Sequence, residues 1–333
     1  MGRNKIFCRL ALVALVFVLP HCRQEDSFYA NVLRSDVFFQ AYDDHKYDFL
    51  WVFDNSGSMK PRRDFVKDHM QSFMNILNSR KAIDFQMAVV TTDFFTEAGS
   101  LVASPSGMKV VKSAESADPV ADMADIINNI QDSPTSFWEQ GLESAYQGVF
   151  QHKAEFSREG VPLIVIFLTD EEDWSCKDDC FGVEPENNTT WKPWPTSRYI
   201  DYFKEVKKAE NTDTFVFPIV GVDSALCDVA SLGGRYMALA DELGGISKSG
   251  SICNSDLQES YENIAKIIAD RGVRFKLSSE ASGSGINVWV NQELVPFTPE
   301  NYMYFPEDNS ILFTGAVPKN GAIVEVTYVQ KTN

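Results

Sequence analysis

The chain has 333 residues, 44% of them hydrophobic, with a formal net charge of −17. That length accommodates one large domain and a small one, and the apolar fraction supports an ordinary core. The acidic balance argues against nucleic acid as a partner, because phosphate-backbone binders need clustered Lys and Arg.

Residues 1–21 read as a signal peptide. Arg3, Lys5 and Arg9 make a basic start, and Leu10 to Leu19 is an apolar run too short for a membrane span. Leu19-Pro20-His21-Cys22 resembles a bacterial lipobox, with Leu19 and Cys22 in place and His21 departing from the usual small residue. The resemblance implies lipidation at Cys22. The expected location is then outside the cytoplasm, in the periplasm or as an outer-membrane or cell-surface lipoprotein. Residues 22–46 read as a tether whose apolar patch, Val37-Phe38-Phe39, is able to add an edge strand. Past Cys8 and Cys22, four cysteines remain: Cys176, Cys180, Cys227 and Cys253. An even number in an exported chain reads as two disulfides. Of the three connectivities, locality favours Cys176–Cys180 and Cys227–Cys253.

From residue 47 to 272 strands alternate with helices. Tyr47–Asp54 is a strand. Pro61–Arg80 is a helix with Phe65, Val66, Met70, Phe73, Met74 and Leu77 on one face. Strands follow at Ile83–Thr92 and Met108–Val111, then helices at Asp118–Gln131 and Trp138–Phe150. Pro162–Thr169 is a continuous apolar run, as a central parallel strand requires. After a long loop, Glu171–Thr196, come a helix at Arg198–Lys208, a strand at Thr214–Val222 and a helix at Tyr236–Leu243. A weak strand at Gly245–Ile252 and a helix at Leu257–Asp270 complete the series. The expected fold is α/β, a doubly wound, mostly parallel sheet. Residues 273–333 then lose the helical period and read as a small all-β module, with strands at Ile286–Val290, Met303–Phe305, Ile311–Phe313 and Ala322–Val329.

The first strand ends in Asp54-Asn55-Ser56-Gly57-Ser58, and the Pro162–Thr169 strand ends at Asp170. Both ends fall at the carboxyl edge of the sheet, where open α/β sheets bind ligands. This D-x-S-x-S turn, with Thr169-Asp170 on a second strand, resembles the von Willebrand factor A domain and its metal-ion-dependent adhesion site. The resemblance covers 47–272. It implies metal ligands at Asp54, Ser56, Ser58 and Asp170, with one more from the second loop, Ser133-Pro134-Thr135-Ser136. Residue type favours Thr135 there, and spacing to Gly141-Leu142 favours Ser136. The implied ion is Mg²⁺, or Mn²⁺ or Ca²⁺, with a carboxylate from a protein partner completing its coordination. Helix capping by Ser56 and Ser58 is the plainer alternative, but it leaves Asp170 unexplained.

Asp93, Trp174, Trp191 and Trp194 are candidates for the ligand-binding rim, the tryptophans because they are frequent hot-spot residues. Glu171, Glu172 and Asp173 read as a solvated acidic loop by default. No HExxH, GxSxG or P-loop occurs, so a binding protein is expected and not an enzyme. The rival expectation is an envelope scaffold or assembly factor that uses the same fold without metal-dependent binding.

Overall fold

The computed structural model describes residues 32–40, 46–79, 82–133, 139–177, 192–210, 212–223, 230–244, 250–253, 257–271, 273–319 and 321–331. β1 is Leu33–Phe39. The central sheet is built from β2 (Lys46–Phe53), β3 (Asp84–Thr91), β4 (Val110–Lys112), β5 (Leu163–Leu168), β6 (Thr214–Val220) and β7 (Gly250–Ser251). Its order is β4-β3-β2-β5-β6-β7. β4 is antiparallel to β3, and the other neighbours are parallel.

Alternation along β2 explains why both faces are covered. Phe49, Trp51 and Phe53 point into one apolar cluster, and Leu50 and Val52 into the other. The first cluster packs against α1 (Lys60–Asp68), α2 (Met70–Leu77), α4 (Pro119–Asn128) and α8 (Leu257–Ala269). The second packs against α5 (Gly141–Phe156), α6 (Thr196–Lys208) and α7 (Gly234–Leu243). A four-residue helix, α3 (Phe94–Glu97), follows β3 and lacks an apolar repeat long enough to be legible in sequence. This is the doubly wound, mostly parallel arrangement expected above.

Two helix boundaries differ from expectation for local reasons. The Pro61–Arg80 pattern is bent at His69 (φ −100°, ψ 7°), where the backbone leaves helical values although His69 N–H still donates to Phe65 O (3.0 Å) and Phe73 N–H to His69 O (3.1 Å). The helix expected from Trp138 starts at Gly141 instead. The backbone just before it is used elsewhere: Gln140 N–H donates to Thr92 O, and Glu139 O accepts from Trp174 N–H.

The last part of the chain forms β8 (Arg274–Lys276), β9 (Asn287–Val290), β10 (Glu293–Val295), β11 (Tyr302–Phe305), β12 (Ser310–Phe313) and β13 (Ile323–Val329). They make two small sheets, β1-β13-β9-β10 and β11-β12-β8, that share one core containing Val288, Tyr302, Ile311, Val324, Val326 and Tyr328. β1 therefore belongs to this module, paired antiparallel from Leu33↔Val329 to Phe39↔Ile323. The segment read as a tether supplies an edge strand to the far end of the chain. Among the described residues no helix is long and apolar enough to cross a membrane.

Asp36 pins β1 in place. Its carboxylate accepts from Ser278 N–H (2.7 Å), Ser278 Oγ (2.6 Å) and Tyr328 Oη (2.9 Å). Partial burial pushes its pKa up, but the hydrogen bonds from Ser278 and Tyr328 outweigh burial, and the net shift is downward. A depressed carboxylate contributes stability that is present above its unfolded pKa and is lost as pH falls through the folded value. Hydrogen exchange of the Leu33–Phe39 amides should therefore quicken as pH drops below about 4, relative to the intrinsic rate. Asp36→Ala should show the faster exchange already at pH 7. Equal protection in the two proteins at pH 7 would mean that backbone pairing alone holds β1.

Candidate metal centre

The carboxyl ends of β2, β3 and β5 lie side by side, with Phe53 opposite both Thr91 and Leu168. The residues that follow are tied across the gap: Asp54 N–H donates to Leu168 O (2.9 Å) and Thr92 N–H to Phe53 O (3.0 Å). This register brings Asp54 and Asp170 together, although 115 residues separate Asp54 from Thr169.

Asp54 is fully buried. Its Oδ1 accepts from Ser56 N–H (2.7 Å), which shapes the first loop, and its Oδ2 accepts from the Thr169 hydroxyl (2.7 Å). Ser56 Oγ and Ser58 Oγ are 3.0 Å apart, and Ser58 Oγ lies 3.4 Å from Asp170 Oδ1. Neither serine caps a helix through its side chain: Ser56 sits at the N-cap of the short 3-10 turn Gly57–Met59 without a side-chain cap bond. The structure thus gathers four of the sequence-predicted residues, Asp54, Ser56, Ser58 and Asp170. Thr135 and Ser136 lie outside the described residues, as do Trp191, Cys180, Cys227 and Cys22.

The first loop is held from below by an arginine that the sequence reading passed over. Arg63 is buried in α1, and its Nη1 donates to the backbone oxygens of Asp54 (2.8 Å) and Ser56 (2.9 Å). Its Nη2 reaches Asp132 Oδ1 at 2.5 Å. Asn55 extends the link to the second loop, donating from Nδ2 to Gln131 O (3.1 Å) and accepting at its backbone oxygen from Ser133 N–H (2.9 Å). Arg62 is the near cation: its Nη1 is 3.8 Å from Asp170 Oδ2 and donates to Ser58 O at 3.2 Å.

Glu139 was also missed, because the apolar pattern placed it inside a helix. It is 4% exposed. Its Oε2 accepts from Thr92 Oγ1 (3.1 Å) and lies 3.3 Å from Thr169 Oγ1, while its Oε1 has no hydrogen-bond partner among the described residues. Burial first, and then the Asp54 carboxylate, push the Glu139 pKa well up. The same two causes raise Asp170. Burial, then Asp54 and Asp170, bring Glu171 up to about 7.

The remaining candidates are placed as follows. Asp93 caps α3, accepting from Thr96 N–H (3.1 Å) and Thr96 Oγ1 (2.6 Å), and it also accepts from Ser133 Oγ (2.6 Å). Trp174 and Trp194 are half-buried, and Trp194 packs against the second apolar cluster beneath the Arg198 guanidinium, 4.3 Å from ring centre to carbon. Glu172 and Asp173 are not solvated acids. Asp173 is fully buried, with Oδ1 accepting from Leu142 N–H (2.9 Å) and Oδ2 from Arg235 Nε (2.9 Å). Glu172 accepts from Arg235 N–H. The third loop therefore caps α5 and α7 from outside, since neither helix carries a side-chain cap of its own. No sequence window shows this, because the acids and the helix starts they serve are far apart along the chain.

Among the described residues, no three His, Cys, Asp or Glu side chains group closely enough to hold a metal on their own. The donor set here is different: two buried carboxylates, two serine hydroxyls and an unsatisfied Glu139 oxygen, all hard oxygen ligands. Of the two guanidinium groups at the first loop, Arg62 pairs with Asp170 and Arg63 with backbone oxygens and Asp132, so the crowded buried carboxylates are short of positive charge, and oxygen donors of this kind suit Mg²⁺, Mn²⁺ or Ca²⁺. The residues present fit such an ion.

Residues 48–189 match the family model of the von Willebrand factor type A domain. The fold is a VWA fold. The turns at Asp54–Ser58 and at Asp170 fall inside the matched stretch, and strands β6 and β7 follow it. Solved structures similar to this chain include the pilus adhesin SpaC from Lactobacillus rhamnosus GG, at 13% identity and TM-score 0.47, covering 90% of this chain and 42% of that one. The von Willebrand factor type A structure from Catenulispora acidiphila matches at 12% identity and TM-score 0.38, covering 91% and 66%. The pilus adhesin RrgA from Streptococcus pneumoniae matches at 10% identity and TM-score 0.39, covering 90% and 58%. The chain spans less than half the length of SpaC. These similarities are too low to carry an argument about function. No curated protein matches the sequence.

Proposed function

We propose that this protein is an exported, non-enzymatic binding module that engages a protein partner through a divalent cation, Mg²⁺ in the first instance. The observation that carries the reading is the convergence of Asp54, Ser56, Ser58 and Asp170 at one corner of the sheet edge. Ser56 and Ser58 would ligate through neutral oxygens, and Asp54 and Asp170 would balance charge from positions fixed by Thr169 and Ser58. A cation held mainly by hydroxyls keeps net positive charge and accepts a carboxylate oxygen from a partner. The chain's own contribution is placement: Arg63 and Asn55 hold the first loop, and the third loop is pinned by its caps on α5 and α7.

The lipobox-like Leu19–Cys22 segment supports export and a lipid anchor at Cys22, hence a periplasmic or cell-surface location. Two local disulfides, Cys176–Cys180 and Cys227–Cys253, complete the proposal; Cys180 and Cys227 lie outside the described residues. Trp174 and Trp194 lie on or beside the third loop and serve the rim. Arg62 favours a second reading. Its guanidinium beside Asp170 is a built-in cation, and a metal-free scaffold would rely on it alone.

A thermal melt separates the two readings. Ligand at a hundred times its Kd stabilises by about 2.7 kcal/mol, and about 2–4 °C accompanies each kcal/mol in a domain of this size. Mg²⁺ or Mn²⁺ should therefore raise the Tm of the wild type by about 5 °C or more, and Asp54→Ala should lose that rise. Partner capture from envelope extract should be reversed by EDTA. Capture that survives both EDTA and Asp54→Ala would leave the scaffold reading in place.

A further inference from the structure

We infer that Glu139 supplies the second-loop oxygen to the divalent cation, in place of a hydroxyl from Thr135 or Ser136. The inference rests on the cation-binding reading above and adds a charged ligand to it.

The argument is one of hydrogen-bond accounting. Glu139 is 4% exposed and stands directly before α5, where the second loop returns to the sheet edge. Its backbone is fixed by strands and loops on either side: its oxygen accepts from Trp174 N–H (2.8 Å), and the next residue's N–H donates to Thr92 O (2.9 Å). Its Oε2 lies 3.3 Å from the Thr169 hydroxyl that also bonds Asp54 Oδ2, which places the carboxyl beside Asp54.

Once there, it is under-supplied. A carboxylate accepts at about four positions. Thr92 Oγ1 donates to Oε2 at 3.1 Å. Thr169 Oγ1 is also near Oε2, at 3.3 Å, but its single proton has a closer acceptor in Asp54 Oδ2 at 2.7 Å. Oε1 has nothing among the described residues. A buried carboxylate with one donor is costly unless a positive group completes it. Both guanidinium groups of the site are engaged elsewhere: Arg62 faces Asp170 and the Ser58 carbonyl, and Arg63 faces the first-loop carbonyls and Asp132. With no further donor among the described residues, either a proton shared with Asp54 or an exogenous cation must satisfy Glu139. A divalent cation shared with Asp54, whose carboxylate meets the same Thr169 hydroxyl, meets that need.

A glutamate in this position changes what the site does. An added negative ligand holds the cation more firmly without a partner and lowers its remaining positive charge. The cation then resides in the free protein, and the partner's carboxylate adds to a site that is already loaded. A carboxylate-rich site also admits Mn²⁺ and Ca²⁺ more readily than a hydroxyl-dominated one, since Mg²⁺ retains water and uses few carboxylates.

The test uses Mn²⁺ alone as probe, titrated into the full chain after its signal peptide is removed, with free Mn²⁺ read by electron paramagnetic resonance. Glu139→Gln keeps an acceptor for Thr92 but removes the charge, and is expected to weaken Mn²⁺ at least tenfold. Glu139→Asp keeps the charge but withdraws it by one methylene, and is expected to weaken Mn²⁺ several-fold. This loss identifies ligation, because the overall charge is unchanged. It also decides the matter should Glu139→Gln fail to fold. The Thr135→Ala, Ser136→Ala double variant is the rival arm, expected to lose less than Glu139→Gln. Wild-type affinity in both Glu139 variants, or a loss in the double variant as large as that of Glu139→Gln, overturns the assignment while leaving the cation reading intact. A wild type that binds no Mn²⁺ overturns both.

Discussion

Arg63→Met is expected to lower the melting temperature by roughly 6–12 °C and to abolish Mn²⁺ binding, although residue 63 is no ligand. The guanidinium is 4% exposed and donates to the carbonyl oxygens of Asp54 and Ser56. Methionine fills similar volume but leaves both oxygens without a charged donor. Hydrogen bonds to charged groups contribute about 1.5–3 kcal/mol each. Removing a buried charge recovers some desolvation, so the net loss is roughly 3 kcal/mol. Asp132 is 59% exposed and re-solvates easily, so it adds little. The site fails for a separate reason: without the clamp the Asp54–Ser58 turn loses the geometry that sets its side-chain oxygens 3.0–3.4 Å from one another and from Asp170. Differential scanning calorimetry and the Mn²⁺ titration read the two effects independently. A stability loss with unchanged Mn²⁺ affinity would show that the clamp serves the fold alone.

Asp173→Ala should destabilise by about 3 kcal/mol, far more than expected of one acid in a row of acids. Its carboxylate is fully buried and joins three elements: Leu142 N–H at the start of α5, Ser175 Oγ at 2.7 Å, and Arg235 on α7. Burial pushes its pKa up, and Arg235 and the hydrogen bonds only partly offset that, so the net shift is upward. Breaking a buried ion pair commonly costs about 3–5 kcal/mol. The low end applies because Arg235 is 17% exposed and retains Trp194 O as an acceptor at 2.7 Å. Glu171→Ala, one turn of loop away and half-buried, serves as the control and should change stability far less. Urea unfolding of both variants decides it; equal midpoints would mean that the caps on α5 and α7 come from elsewhere.

The legible part of this chain was what short windows encode. The alternation of Phe49, Trp51 and Phe53 with Leu50 and Val52 marks a strand covered on both faces, and the apolar run at Leu163–Leu168 marks its neighbour. Asp54, Ser56, Ser58 and Asp170 were legible because a hydrophobic strand that ends in an oxygen-rich turn is a local pattern. Glu139 was not, because it precedes an apolar helical pattern that absorbed it, and because its use depends on hydroxyls from Thr92 and Thr169. Arg62 and Arg63 were not legible either, because the carbonyl oxygens and the Asp170 carboxylate they meet are set by the fold. The role of Val37–Phe39 was legible only as a capacity, since its partner strand lies some 290 residues away.

The sequence alone therefore determined the α/β character, the change to β structure after residue 273, and the two acids at the ends of neighbouring strands. These follow from side-chain periodicity and backbone preference, which act over a few residues. Tertiary structure alone decided which polar groups share the site: the glutamate with one oxygen lacking a donor among the described residues, the arginine beneath the first loop, and the acids that cap helices instead of facing water. Hydrogen bonds and charge pairs are satisfied by position in space. Parallel pairing of β2 with β3 and β5 is what brings Asp54, Glu139 and Thr169 within reach of one another.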